Sequence, residues 1–305
     1  MQESQAAEAG APRPLWLFLA PAIFLFLWSA GFAVAKLGLL YADPITFLAL
    51  RYALVLVVLL PLVPIVRPPL PKRGVDWLHL AVVGFLIQAG YFGLCYIAMD
   101  SGMSAGALAL IVSLQPILVG LLAPRLVGET VNRLRWAGLA LGLAGAALVI
   151  VARSAIEVTS LVAILAAIGG LASMTGATLY EKRFGISQHP VTANVVQYAV
   201  GLAATLPVAW MLEDMRVDWT GELIAALAYL VIGNSLIAIT LLLAMIRRGQ
   251  ASSVSALFFL VPPGAALVAW VTIGEAMPPL AWIGMALAAA GVALVGRPGP
   301  RVRRS

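Results

Sequence analysis

Apolar runs of about twenty residues recur from Pro14 to Gly296, and no polar stretch between them is long enough to fold by itself in water. In hydrocarbon every unpaired backbone N–H or C=O costs several kcal/mol, so each run must close its own hydrogen bonds as a helix. The 305 residues are 62% hydrophobic and 10% charged, and the mean hydropathy is +1.02, far from a water-soluble domain. Cutting at charged or Pro/Gly-rich breaks predicts spans near 15–39, 44–65, 75–99, 103–124 and 133–151, then 160–183, 190–211, 220–246, 250–273 and 278–296. The fold class is therefore an all-α membrane protein with ten transmembrane helices. The run from Leu15 to Ala35 exceeds the roughly 7–15 residues of a signal-peptide core, so it is read as a retained first helix.

The basic residues set the orientation. With a cytoplasmic N-terminus, fifteen Lys and Arg fall on the cytoplasmic side and only Lys36, Arg153 and Arg216 on the other, while Arg51 stays inside the second span. That bias satisfies the positive-inside rule and makes both termini cytoplasmic, in an inner (plasma) membrane. The net charge of +6 is thus a topology signal, and nucleic acid is not an expected partner. The single cysteine, Cys95, excludes an internal disulfide and any Cys-rich metal framework.

Sliding the chain against itself by 146 positions aligns Lys36 with Lys182, Pro44 with Pro190, Tyr52 with Tyr198, Gly128-Glu129 with Gly274-Glu275, and Trp136 with Trp282. A slip of one brings Pro116 onto Pro263. One offset held across mixed residue types marks a duplication. Each copy has five spans, so the second enters from the opposite face. The predicted organisation is a tail at 1–14, a five-helix repeat at 15–151, an inverted repeat at 160–296 and a basic tail at 297–305. Inverted repeats recur in secondary transporters, with the substrate near the midplane and one half moving against the other.

These motifs resemble the drug/metabolite transporter superfamily, and within it the EamA-type exporters, over residues 15 to 296. The resemblance rests on Leu27-Trp28-Ser29-Ala30-Gly31-Phe32 with Lys36, on Asp43-Pro44 with Arg51, on the stretch from Ala98 to Pro116, and on Gly128-Glu129 with Trp136 and Gly138. The second copy repeats the later motifs but has Met174 for Trp28 and Gln197 for Arg51. What the resemblance implies is export of small organic solutes, often amino acids, most like the YddG-type aromatic amino-acid exporters.

Several residues are candidates for substrate contact. Gln88 and Asn234 are equivalent under the offset, and two uncharged amides there would bond a zwitterion's two ends; the bland alternative is interhelical glue. Helical spacing puts Tyr91 on the side of Gln88, while Trp28, Phe32 and Lys36 form an aromatic wall ending in a cation. His79, near a helix end, is a substrate donor, a pH sensor or an interfacial anchor. Pro116, Pro262 and Pro263 interrupt the fourth and ninth spans at equivalent places, with Gln115 and Ser255 as adjacent polar groups and Lys36 and Lys182 as gate cations. Gly138, Gly142, Gly145, Gly284 and Gly291 form small-residue faces that join the halves or make a homodimer.

Every Asp and Glu lies in a terminus, a loop or the last turns of a span, which favours downhill export over proton antiport, with Glu181 as the remaining coupling candidate. No HExxH, acid pair or nucleophile–base set occurs, so neither catalysis nor a cofactor is expected, and the apolar spans offer no pore-lining charge rings of a channel. The partners are a small-molecule substrate, an amino acid by the resemblance, and the lipid bilayer.

Overall fold

The computed structural model describes residues 15–153, 160–186, 188–273 and 277–296. Ten helices long and apolar enough to cross a membrane occupy them. They are α1 (Leu15–Gly38), α2 (Pro44–Val66), α3 (Gly74–Asp100), α4 (Ala105–Leu126) and α5 (Arg133–Arg153). The second repeat supplies α6 (Leu161–Phe184), α7 (Pro190–Leu212), α8 (Gly221–Arg248), α9 (from Ala251 to Ile273) and α10 (Pro279–Val295). The tails, Gly274-Glu275 and the Trp16 side chain fall outside what is described.

Helix starts follow local chemistry. Pro44 and Pro190 open α2 and α7, where a missing N–H costs nothing. Ser104, Ser160 and Thr220 cap α4, α6 and α8 by accepting from the backbone N–H three residues on. Interiors are less regular, and the irregularities repeat. Both α3 and α8 widen into π-helical turns at mid-span, over Phe85–Gly93 and Leu230–Ala238. Helix α4 breaks at Ser113-Leu114 and restarts at Gln115, and α9 tightens to a 3₁₀ turn over Ala256–Leu260 before Val261. Pro116, Pro262 and Pro263 each stand in the first turn after the interruption, as their missing N–H groups require.

The two repeats are interleaved. Helix α1 packs against α8 and α9 of the other repeat, α6 against α3 and α4, α2 against α7, and α5 against α10. The α5–α10 crossing is the closest. Gly138 lies against the Gly291 carbonyl and Gly145 against the Gly284 carbonyl and Ala288 amide, so the backbones touch and run antiparallel, as inversion demands. The small-residue faces are thus consumed inside the chain, joining the repeats. Because most partners come from the opposite repeat, no five-helix half forms a separate body in space.

Candidate functional site

At the crossing of α1, α2, α3 and α8 the structure encloses a cavity lined by Trp28, Phe32, Arg51, Tyr91, Phe92 and Asn234, with Gly31 and Cys95 in its wall. Trp28 is buried and stacks on Tyr91 at 6.1 Å between ring centroids and 20° between planes; Phe24, Phe92 and Phe258 surround it at 5.1, 5.8 and 5.5 Å. These rings come from α1, α3 and α9, so the aromatic box exists only because the repeats interleave. The space left free, about 10 Å³, holds roughly one water. The cavity is collapsed on its own side chains.

Arg51 forms one side of it, completely buried, four residues from the middle of α2 and so about 6 Å along its axis. Its Nε donates to Ser235 Oγ at 2.8 Å and its Nη1 to the Tyr96 hydroxyl at 3.2 Å, and its guanidinium lies 4.5 Å from the centre of the Phe92 ring. All these partners are neutral. Among the described residues no carboxylate pairs with it, and Nη2 is buried without a hydrogen-bond acceptor. The sequence showed Arg51 inside a span; the signal was its charge, since an ionisable group at that depth is expensive and by default functional.

Tyr52 and Tyr198, neighbours of Arg51 and of its counterpart Gln197, lie with ring centroids 5.5 Å apart and planes tilted by 54°. Tyr52 donates to the Gln88 carbonyl at 2.7 Å and Tyr198 to the Ser235 carbonyl at 2.9 Å. Each phenol thus satisfies a carbonyl within the π-helical segment of its own repeat, where the regular i→i+4 ladder is broken. The offset had paired these tyrosines, yet only the fold shows what they hold.

The sequence candidates separate into two groups. Trp28, Phe32, Tyr91 and Asn234 line the cavity. Gln88 does not: the Gly201 position of α7 abuts its Cβ, and both its amide atoms are buried without partners, as are those of Gln197. The expected sharing of one face by Gln88 and Tyr91 fails because the wide π-helical turns re-phase α3 between them, sending Gln88 towards α7 and Tyr91 towards Trp28. His79 bonds the Tyr180 hydroxyl at 2.9 Å and stacks on Phe184, which anchors the end of α3 to α6. Gln115 Nε2 donates to Thr178 Oγ1 at 3.1 Å, and Ser255 Oγ to the Ser252 carbonyl within its own helix.

Both ends are latched. Lys36 donates to the Met103 carbonyl at 3.3 Å, and Lys182, its counterpart, to the Gly249 carbonyl, so each lysine ties the first helix of its repeat to the following third-to-fourth connection. On the Lys36 face, Glu213 accepts from the amides of Ile45 and Thr46 at 2.8 and 2.7 Å, and Asp43 and Arg216 exchange hydrogen bonds across the loops. On the Lys182 face, Glu129 accepts from the Ala251 and Ser252 amides at the start of α9, and Glu181, 2% exposed, pairs with Arg247 at 3.2 Å. A recess of about 570 Å³ opens beside that pair, bordered by Lys182, Thr240, Arg247 and Arg248. On the opposite face a recess of about 450 Å³ is bordered by Asp43, Asp100, Glu213 and Asp214. The first is rich in cations, the second in carboxylates.

Comparison with known proteins adds an independent finding. The sequence profile of the EamA-like transporter family matches residues 14–151 and again 161–297. A probable amino-acid metabolite efflux pump of Salmonella typhimurium is 24% identical, over 93% of this chain and 95% of its own length. A probable terminal-alkyne amino-acid exporter of Streptantibioticus cattleyicolor is 33% identical over 63% of this chain and 64% of its own. The uncharacterized inner membrane transporter YedA of Escherichia coli is 25% identical, with 92% and 90% covered. A solved crystal structure superposes with a TM-score of 0.76 at 22% identity, over 93% of this chain and 98% of that one, and shares the fold.

Proposed function

The chain belongs to the EamA-like transporter family, and from that premise we propose that it exports amino acids or closely related metabolites with flat, apolar side chains. The observation that carries this reading is the aromatic box of Trp28, Tyr91, Phe92 and Phe258 at the crossing of the repeats. Such a box stacks a planar side chain, each aromatic pair adding about 0.5–1.5 kcal/mol beyond burial. The names of two relatives, an amino-acid metabolite efflux pump and an amino-acid exporter, support the same class.

Transport proceeds by alternating access. The collapsed cavity with both faces latched is an occluded arrangement, and opening either face breaks that face's latches while the other set holds. The moving bodies are mixed bundles drawn from both repeats, α1 with α8 and α9 and α6 with α3 and α4, a reading supported by the packing of these helices on one another. The Lys182 face is cytoplasmic by the charge bias. Export runs downhill without proton coupling: Glu181 is engaged by Arg247 rather than free in the cavity.

The test is flux from proteoliposomes against amino acids, sugars and cationic drugs, with and without a pH gradient. The expected result is saturable efflux of aromatic and large neutral amino acids that is unchanged by the gradient and lowered at least about tenfold in affinity by Trp28→Ala. Gradient-driven uphill flux would remove the uncoupled reading, and a preference for sugars or drugs would remove the substrate assignment.

A further inference from the structure

We infer that Arg51 is a carboxylate-binding site, so that the cavity takes its substrate by an anionic head group held on the guanidinium and a side chain held in the aromatic box. This rests on the transport reading above and names the recognition element of the same cavity. Four observations converge. Arg51 is 0% exposed in a chain of membrane-spanning helices, and a guanidinium cannot shed its charge by losing a proton. Its protein partners, Ser235, Tyr96 and the Phe92 ring, are all neutral, and no described carboxylate pairs with it. Those partners fix the plane of the group while Nη2 stays buried without an acceptor. And Arg51 lines the one cavity that the aromatic box walls.

A buried cation without a counter-ion is costly, and the usual protein solution is a paired carboxylate. Among the described residues that carboxylate is missing, and the free Nη2, beside the remaining proton of Nη1, presents the two-pronged edge that matches a carboxylate's two oxygens. Substrate binding therefore completes an ion pair that the empty carrier leaves open. The repeat offset turns Arg51 into Gln197, so the cation stands on one side of the pseudo-dyad only and one carboxylate is held per cycle. The recess bordered by Lys182, Arg247 and Arg248 raises the local concentration of the same anions at one mouth. It also follows that a related amine without the acid group meets a like charge and is rejected.

The experiment compares four compounds on one scaffold with the purified full-length chain: L-phenylalanine, 3-phenylpropanoate, L-phenylalaninamide and phenethylamine, with acetate as the bare head group. Thermal stabilisation in detergent reads binding, and flux in proteoliposomes reads transport. The two phenyl carboxylates are expected to bind at least tenfold more tightly than the amide and the amine, and acetate to stabilise weakly at high concentration. Arg51→Gln is expected to erase the acid-over-amide ratio, and Arg51→Lys to retain part of it as a point charge. Equal binding of acid, amide and amine to the wild-type chain overturns the proposal without any variant having to fold, as does binding of none of the carboxylates. An acid-over-amide ratio unchanged in a folded Arg51→Gln protein overturns it too. If carboxylates stabilise the wild-type chain but no amino acid is carried, the Arg51 site stands and the transported class is another acid; if phenylalanine and its amide are carried alike, the amino-acid reading stands and the Arg51 site falls.

Discussion

Replacing Gly145 with alanine puts a methyl group where two helices touch backbone to backbone. A Cβ there would sit 2.3 Å from the Ala288 amide nitrogen, 2.6 Å from the Gly284 carbonyl oxygen and 2.9 Å from Ala288 Cα. Comfortable contact needs about 3.5 Å, so α5 and α10 must separate by roughly 1 Å at the crossing. No rotamer change can absorb that, because all three atoms belong to the backbone. A gap of this size forfeits about a quarter to a half of the dispersion energy at each neighbouring contact, and overpacking of this kind costs about 1–3 kcal/mol. The upper end applies here, about 3 kcal/mol, which at about 2–4 °C per kcal/mol lowers the midpoint by about 6–12 °C. The assay is thermal unfolding of the detergent-solubilised protein followed by tryptophan fluorescence. Gly291→Ala, the position equivalent under the repeat, meets the Gly142 amide at 2.4 Å and should lose as much. Gly74→Ala and Gly221→Ala are the controls, since nothing lies within 4 Å of a Cβ at either, and both should unfold within about 2 °C of wild type. A Gly145→Ala protein as stable as those controls would refute the claim that α5 and α10 join the repeats by backbone contact.

Gly31→Ala addresses the cavity rather than the scaffold. Its Cβ would lie 2.0 Å from Asn234 Nδ2, the mobile end of a side chain, so the amide must swing aside while the fold survives; the expected outcome is about tenfold weaker substrate binding with a midpoint within a few degrees of wild type. Tyr52→Phe and Tyr198→Phe each remove a hydroxyl that donates to a buried carbonyl of a π-helical segment, at about 0.5–1.5 kcal/mol, and similar losses in urea or thermal unfolding would confirm that the two phenols play the same part in the two repeats. Glu129→Gln removes the charge from a buried group that accepts from the Ala251 and Ser252 amides and the Ser252 hydroxyl, so α9 should be destabilised by about 1–3 kcal/mol, seen as faster amide exchange at its first turn.

Ten helices, their inversion and the tyrosine, lysine and proline pairs could be read from the chain before any coordinate was known. The physical reason is that lipid leaves the backbone one solution, a helix for each apolar run of sufficient length, and a duplication with an odd number of spans has one consistent orientation. The cavity residues on α1 were legible for a similar reason, since the spacing of Trp28 and Phe32 fixes a shared face within one regular helix. That logic failed in α3, where the π-helical turns over Phe85–Gly93 change the phase and part Gln88 from Tyr91. It was silent on Arg51, whose span was evident but whose surroundings come from Tyr96 and Phe92 on α3 and from Ser235 on α8, in the other repeat. Nor does periodicity say which helix faces which, and only the interleaved packing carried His79, Gln115 and Ser255 away from the cavity and set Phe258 behind Trp28 in its wall. The local chain determined what each helix is; contacts between residues far apart in the chain, 184 positions in the case of Arg51 and Ser235, decided which side chains meet and so what the protein holds.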